Sequence, residues 1–372
     1  MDFHGLRGSH PAPTQPGKPR RPEVGSRVQE TESMKLSLVF GAGSGIGGSE
    51  RRMVDLAVEL GRRGWTVTAF IPRLHGAPLA EALASVGARV VPYHGPLDLV
   101  RRVARERAFA TWVFGARASF PLLAARPPRV FWRGGKLMVA KNGLDANKSP
   151  RATRLEIMLL ARADLVVANS RSAGLMARQR LRVPDSKVRV LPSALGDEWG
   201  ESPPREARRR VRIAMIGNNR PEKQHALGVK LFVDQADPEA VLTVYTNDGR
   251  ALKQQVDRLS ARDASRVSVL EGVEVTPALM RTIDVLLHPA SSESLPRVAL
   301  EARSQSAWVV GFDVGDLADF CETRVPFGAL PEISDSLRRA CESVRQGKWP
   351  EPLTPMTVPE YADRLLALCG QP

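Results

Sequence analysis

Short apolar runs recur along this chain, and most are followed by a stretch with helical periodicity. Leu36–Phe40, Thr66–Ile71, Arg89–Pro92, Thr111–Phe114, Arg129–Trp132, Leu165–Ala168 and Val188–Leu191 read as strands. After the first of them, Ser49–Arg63 places Met53, Leu56, Ala57 and Leu60 on one helical face, and Gly64 stops it. Strands this apolar have no solvent face, and helical crossovers between them imply a parallel sheet covered on both sides. Residues 200–210 (Gly-Glu-Ser-Pro-Pro-Arg-Glu-Ala-Arg-Arg-Arg) interrupt the alternation and read as a linker. The alternation then restarts with Arg212–Ile216, Leu242–Tyr245, Val267–Leu270, Val285–His288 and Trp308–Phe312. The expected architecture is α/β, with two domains of similar size at 34–198 and 211–354 joined through 199–210. A last amphipathic helix near Pro359–Leu368 carries Tyr361, Leu365, Leu366 and Leu368. Residues 1–33 hold five prolines and no apolar period, so a disordered tail is expected there, with Met34 as a candidate start of translation.

Composition removes several function classes. Hydrophobic residues make up 43% and charged residues 25% of the 372, as in a globular protein with a sizeable core. No apolar run approaches the roughly 20 residues of a membrane-spanning helix, and no apolar stretch follows the N-terminus to make a secretory signal. Cys321, Cys341 and Cys369 form no Cys-x-x-Cys pair, so neither a disulfide framework nor a cysteine zinc site is expected, and a reducing cytoplasm is the simplest setting. The net charge is +14, and residues 34–200 alone carry 27 Lys and Arg against 12 Asp and Glu, a net of +15. The plain reading is arginine-decorated solvated helices. The sharper one is attraction to a phosphorylated substrate or peripheral contact with an anionic membrane at its inner face. Nucleic acid is not an expected partner, because only 5% of residues are aromatic and no basic segment is interleaved with stacking side chains.

The segment Phe40-Gly-Ala-Gly-Ser-Gly-Ile-Gly-Gly-Ser-Glu50 follows a strand and opens a helix. Glycines there let backbone amides approach a phosphate, and the helix N-terminus adds dipole and free N–H donors. Gly43-x-Gly45-x-x-Gly48 matches a dinucleotide fingerprint, and Gly41–Gly47 resembles the opening of short-chain dehydrogenases. That chemistry needs a Tyr with a Lys four residues on, but Leu97, Gly249 and Leu365 follow Tyr93, Tyr245 and Tyr361 at that distance. Arg73 and His75 stand where a ribose-binding acid would close the second strand. An NAD(P)-dependent oxidoreductase using Gly43–Gly48 is therefore the weaker alternative. Gly47-Gly-Ser-Glu-Arg51, with the helix ending Gly61-Arg-Arg-Gly64, instead resembles the start of family 4 glycosyltransferases of the GT-B fold.

Four later segments resemble that family in the required order. Val166-Val-Ala-Asn-Ser170 and Val183–Pro192 resemble the close of its first domain, with Ser193-Ala194 where many members have Asn-Gly. Ile213-Ala-Met-Ile-Gly-Asn-Asn-Arg-Pro-Glu-Lys223 resembles the opening of its nucleotide-binding domain. Lys223 matches the family's diphosphate-binding lysine; Asn218 replaces the usual Arg, and Arg220 is the candidate substitute. The chemistry wants fixed cations because the leaving diphosphate gains charge as the glycosidic bond breaks. Val285–Ala302 carries Glu293 and Glu301, seven residues between them, with Pro296 opening a helix. Trp308-Val-Val-Gly-Phe-Asp-Val-Gly315 resembles the strand and glycine loop that follow, although Gln305-Ser-Ala-Trp308 departs from the usual pattern.

The resemblance spans roughly residues 35–370 and implies two Rossmann-like domains facing across a cleft, with residues 355–372 packing back on the first. It implies retaining transfer of a sugar from a nucleotide diphosphate sugar to a glycan, lipid or small-molecule acceptor. Glu293 would touch the donor sugar, Glu301 the ribose, and Lys223 with Arg220 the phosphates. Gly47, Gly48, Gly217, Asn218, Ser294, Leu295, Pro296, Arg297 and Val298 would complete the donor site. Many relatives place a His near the reaction centre; here Arg129-Val-Phe-Trp-Arg-Gly-Gly135 has none, and Arg133 or Trp132 takes that place. His75 and His94 follow other strands, and His288, inside an apolar run, reads as a core histidine. In the front-face mechanism proposed for such enzymes the donor phosphate takes the acceptor proton, so no protein nucleophile is needed. No Asp-x-Asp pair occurs, so no bound metal is expected, and with the nucleotide diphosphate sugar as co-substrate the resemblance implies no cofactor. A non-catalytic sugar-nucleotide binder is the other alternative.

Overall fold

A computed structural model describes Met1 and residues 34–41, 47–73, 77–126, 135–144, 149–200, 202–235 and 237–370. The expected tail, the strand at 129–132, and Gly43, Gly45, His75, Trp132 and Arg133 lie outside the described residues.

The first half alternates β1 (Lys35–Phe40), α1 (Gly48–Arg62), β2 (Thr66–Pro72), α2 (Ala77–Ser85), β3 (Arg89–Tyr93), α3 (Pro96–Glu106), β4 (Ala110–Phe114), α4 (Ala116–Ala125), β5 (Lys136–Lys141), α5 (Pro150–Leu160), β6 (Leu165–Ala168), α6 (Arg171–Gln179) and β7 (Val188–Val190). The second half holds β8 (Arg212–Ile216), α7 (His225–Gln235), β9 (Val241–Thr246), α8 (Arg250–Val256), α9 (Ala261–Ala264), β10 (Val267–Glu271), α10 (Pro277–Arg281), β11 (Val285–His288), α11 (Arg297–Ser304), β12 (Trp308–Gly311) and α12 (Leu330–Arg345). Helix α13 (Val358–Cys369) closes the chain. The sequence reading assigned no strand at Lys136–Lys141; β5 is an addition to it.

Among the described residues, seven strands pair in the order β3-β2-β1-β4-β5-β6-β7 and five in the order β10-β9-β8-β11-β12. Every pair is parallel. Both sheets are buried on two faces, as continuous apolar strands require. In β1 and β4, Leu36, Leu38, Trp112 and Phe114 face one core while Val39 and Val113 face the other. In β11, Val285 and Leu287 face the opposite core from Leu286. Each sheet reverses its strand order once, at β1/β4 and at β8/β11. In open α/β sheets the crevice beyond the carboxyl ends of the strands at such a reversal is where ligands bind.

Helix α13 belongs to the first half's core. Tyr361, Ala362, Leu365 and Cys369 share a cluster with Met53, Leu56, Leu60 and Trp112. Thr357 and Glu360 cap its start reciprocally. Buried Arg52 lies 6.0 Å from the Trp112 ring and 5.7 Å from the Tyr361 ring, with Nη1 donating to Ser193 Oγ at 3.2 Å. Residues 202–210 have neither helix nor strand, yet they are fixed. Arg205 donates to the carbonyls of Gln305 and Ile283 at 2.7 Å each and lies 4.9 Å from the Trp349 ring. Arg205, Arg208 and Arg212 surround the wholly buried Asp284 at 3.7, 3.2 and 3.5 Å. Among the described residues no helix is long and apolar enough to cross a membrane.

Candidate functional site

The strands flanking the reversal in the second sheet, β8 and β11, both feed polar loops. The loops are tied together: Ser291 N donates to Glu222 O at 2.8 Å. That brings Lys223, past the end of β8, against Glu293, past the end of β11, and Nζ bonds Oε2 directly. His288, the last residue of β11, places Nε2 3.2 Å from the same oxygen. Behind Glu293 the chain passes through Gly315 at φ +58°, where a Cβ would fall 1.8 Å from the Glu293 carbonyl oxygen. Only glycine fits that approach and that backbone.

Charge at this corner is sorted by surroundings. Burial works to raise the Glu293 carboxyl, but the His288 hydrogen bond and the Lys223 charge outweigh it and hold the group down at about 2. Burial keeps His288 below the usual histidine range. A carboxylate can only accept, so the neutral ring carries its proton on Nε2. His225, at the start of α7, is pushed down to about 4, by burial first and then by His288 and Lys223. Its Nδ1 is buried without a hydrogen-bond partner among the described residues.

Glu301 sits elsewhere. Its buried carboxylate accepts from Arg297 Nε at 2.9 Å, and Arg297 Nη1 and Nη2 each reach Asp55 Oδ2 on α1 at 3.2 Å. Burial raises the Glu301 carboxyl against the pull of Arg297. Gly48, the first residue of α1, lies against the same arginine; a Cβ there would come within 3.3 Å of Arg297 Cβ. The structure therefore brings Lys223 and Glu293 together, and separately brings Gly48, Arg297 and Glu301 together. Gly47 caps α1, and its N–H donates to Glu50 Oε2 at 3.2 Å. Asn218 and Arg220 are exposed beyond Gly217, and Leu295, Pro296 and Val298 surround the first turn of α11.

Other residues join the halves. Ser294 Oγ donates to Asn169 Oδ1 at 2.7 Å and lies 2.7 Å from Ser170 Oγ. Asp316 accepts from the backbone N–H groups of Arg171 and Ser172 at 2.8 and 2.9 Å, so one half caps helix α6 of the other. At the end of β5, buried Lys141 pairs with Glu156 of α5 at 3.1 Å. The sequence reading singled out none of Asp316, Lys141, Glu156 or His225. Asp316 directly follows a glycine loop that it did identify, but its partners lie 144 and 145 positions away. Among the described residues no group of three or more His, Cys, Asp or Glu side chains is arranged to hold a metal ion.

Comparison with known proteins agrees with the fold. Residues 46–196 match the family described as Glycosyltransferase Family 4, and residues 210–343 match Glycosyl transferases group 1. The 2-deoxystreptamine N-acetyl-D-glucosaminyltransferase of Streptomyces fradiae is 28% identical over 214 residues, 52% of this chain and 50% of that protein. The chain thus matches about half the length of that curated relative. A glycosyltransferase crystal structure from Rickettsia africae superposes with a TM-score of 0.68 at 13% identity, covering 91% of this chain and 98% of that one. The apo lipopolysaccharide outer core galactosyltransferase WaaB gives 0.67 at 13%, covering 91% and 99%. Two parallel sheets, each with one reversal of strand order, and family matches to each half in turn place the chain in one group: it belongs to the family 4 glycosyltransferases of the GT-B fold.

Proposed function

We propose that this protein transfers a glycosyl unit from a nucleotide diphosphate sugar to an acceptor with retention of configuration. The observation that carries the reading is the Lys223–Glu293 pair with His288 at the carboxyl edge of the second sheet, beside its strand-order reversal. In the free protein these charges satisfy each other. A diphosphate would draw Lys223 onto its oxygens, where the ammonium stabilises charge developing on the leaving group. Glu293 would then accept from donor sugar hydroxyls. The bond from the anomeric carbon to the diphosphate breaks, the acceptor oxygen bonds that carbon on the same face, and the departing phosphate takes the acceptor proton. Glu301 would exchange part of its contact with Arg297 for the ribose hydroxyls. Gly47, Gly48, Gly217, Asn218, Arg220, Ser294, Leu295, Pro296 and Val298 would line the donor. Arg133 remains the proposed occupant of the place where relatives carry His.

The first half would select the acceptor. Its net +15 favours an acceptor bearing phosphate, free or at an anionic membrane surface. The activity named for the Streptomyces fradiae relative puts N-acetylglucosaminyl donors and 2-deoxystreptamine in the first panel to be tried.

Mass spectrometry of donor–acceptor mixtures tests the reading. Glu293→Ala and Lys223→Ala should each cut both transfer and acceptor-free donor hydrolysis at least roughly tenfold, the scale of one lost charged contact. Near-normal turnover in both variants removes the assignment. An inverted product would remove retention alone.

A further inference from the structure

Glu293 receives two contacts, and both fall on one oxygen. Lys223 Nζ and His288 Nε2 converge on Oε2, whereas Oε1 has no hydrogen bond among the described residues. The two donors have different attachments. Lys223 ends a short turn at Pro221–Lys223, and its flexible side chain is about one-fifth exposed. His288 is the terminal residue of a central strand, paired with Gly311 of β12, and its ring is 3% exposed. One donor can leave; the other is locked in place.

We propose that His288 is the positioning residue for Glu293: its ring N–H anchors Oε2 to the sheet and leaves Oε1 free to accept from a donor hydroxyl. The inference rests on the glycosyl-transfer reading for its consequence, though not for the contact itself. When a diphosphate claims Lys223, Glu293 loses its cation while its side chain is still largely enclosed, 15% exposed. A buried carboxylate without partners is costly and moves toward its protonated form. His288 is then the remaining contact that keeps the group ionised and aimed. The ring suits this because it is neutral: a second cation would compete with Lys223 for Glu293 and repel it from the corner. His225, also neutral and next to His288 and Lys223, keeps that side of the corner uncharged as well. The titratable and charged groups acting here are thus Lys223, His225, His288 and Glu293, drawn from the β8 loop, α7, β11 and the β11 loop.

Two side-chain replacements separate positioning from packing. His288→Leu keeps the bulk and removes the N–H; His288→Gln keeps an N–H donor at similar reach. His288→Leu should lower kcat for donor hydrolysis roughly 10- to 100-fold. Its Kd for a nucleoside diphosphate, read by calorimetry, should stay within about threefold, because the phosphate contact belongs to Lys223. His288→Gln should return kcat to within roughly fivefold of the parent. A His288→Leu enzyme with more than half the parent kcat overturns the proposal, and so does a His288→Gln enzyme no better than it. Nitrogen-15 NMR of the free protein tests the contact independently of turnover. The Nε2–H tautomer should be present, with its resonance moved by Glu293→Gln; an Nδ1–H tautomer overturns the assignment. If the parent turns over no nucleotide sugar, the reading of function fails, and NMR still decides the contact.

Discussion

Glu293 and Glu301 come from one motif and end in opposite conditions. Glu293 is held at about 2 by a histidine and a lysine from its own half of the molecule, with one oxygen left without a hydrogen bond among the described residues. Glu301 is raised by burial and hydrogen-bonded by the Arg297 guanidinium, which turns its other nitrogens across to Asp55 on α1. Carboxylates whose surroundings push them apart mark a division of labour. The first corner is assembled inside one half and exists whether or not the halves are closed. The second is completed only when α1 is in place. On the proposed reading, chemistry would belong with Glu293, and coupling of the halves to donor binding with Arg297 and Glu301.

The largest expected effect tests the second corner. Arg297→Ala strands a buried carboxylate, and breaking such a pair from one side typically costs about 3–5 kcal/mol. Tm should fall on the order of 10 °C. The sign with pH follows from the raised Glu301 carboxyl. Its favourable term is fully present below the unfolded value, about 4.3, and is lost as pH rises through the higher folded value. With Arg297 gone that rise is steeper, so the deficit should be larger at pH 8 than at pH 5. Glu293 runs the other way, its term being present above about 4.3 and lost as pH falls toward 2. Denaturant melts of the parent and Arg297→Ala across that range would separate the two. A deficit that grows on acidification would refute the contrast.

A smaller loss of stability, with the sharper loss of activity, is expected from Gly315→Ala. The new Cβ would collide with the Glu293 carbonyl, and the residue would keep a left-handed φ of +58°. The left-handed backbone alone costs about 1–3 kcal/mol, and relieving the overlap requires the Glu293 backbone to shift; a circular-dichroism melt should show a folded protein with a lowered Tm. Glu293 would be displaced from His288 and Lys223, and donor hydrolysis should drop by roughly two orders of magnitude, since a misplacement of about 1 Å costs that much. Arg297 and Glu301 would be untouched. Full donor hydrolysis by Gly315→Ala would show that the first corner does not depend on its glycine support.

Much of this was legible in the sequence because the signals are local. Buried parallel strands are continuous apolar runs, and β6, β8 and β11 lie at their expected residues. β5 was not legible, because Lys136 and Lys141 bound it and the reason Lys141 can be buried is Glu156, fifteen positions on. His288 read as a core histidine from its apolar neighbours. Its burial agrees with that, but its partner Glu293 lies across a turn that periodicity cannot see. Ser294 was expected only to line the donor site, yet its hydroxyl spans the two halves to Asn169 and Ser170. Contacts of this kind depend on how two sheets face each other, which no window of sequence encodes.

The smallest expected effect sharpens the contrast most. Asp55 contributes one oxygen to Arg297, and its side chain is 29% exposed. Asp55→Asn keeps an acceptor there and removes the charge, leaving Arg297 fully committed to Glu301. The asparagine oxygen still accepts from the part-buried Arg297, so the loss should be about 1 kcal/mol. Tm should therefore move by no more than roughly 3 °C, and the difference should shrink further in 1 M salt. Nucleoside diphosphate affinity, by contrast, should report whether α1 helps complete the second corner. If Asp55→Asn costs as much stability as Arg297→Ala, Arg297 is working mainly across the halves, and Glu301 is not the group it exists to neutralise.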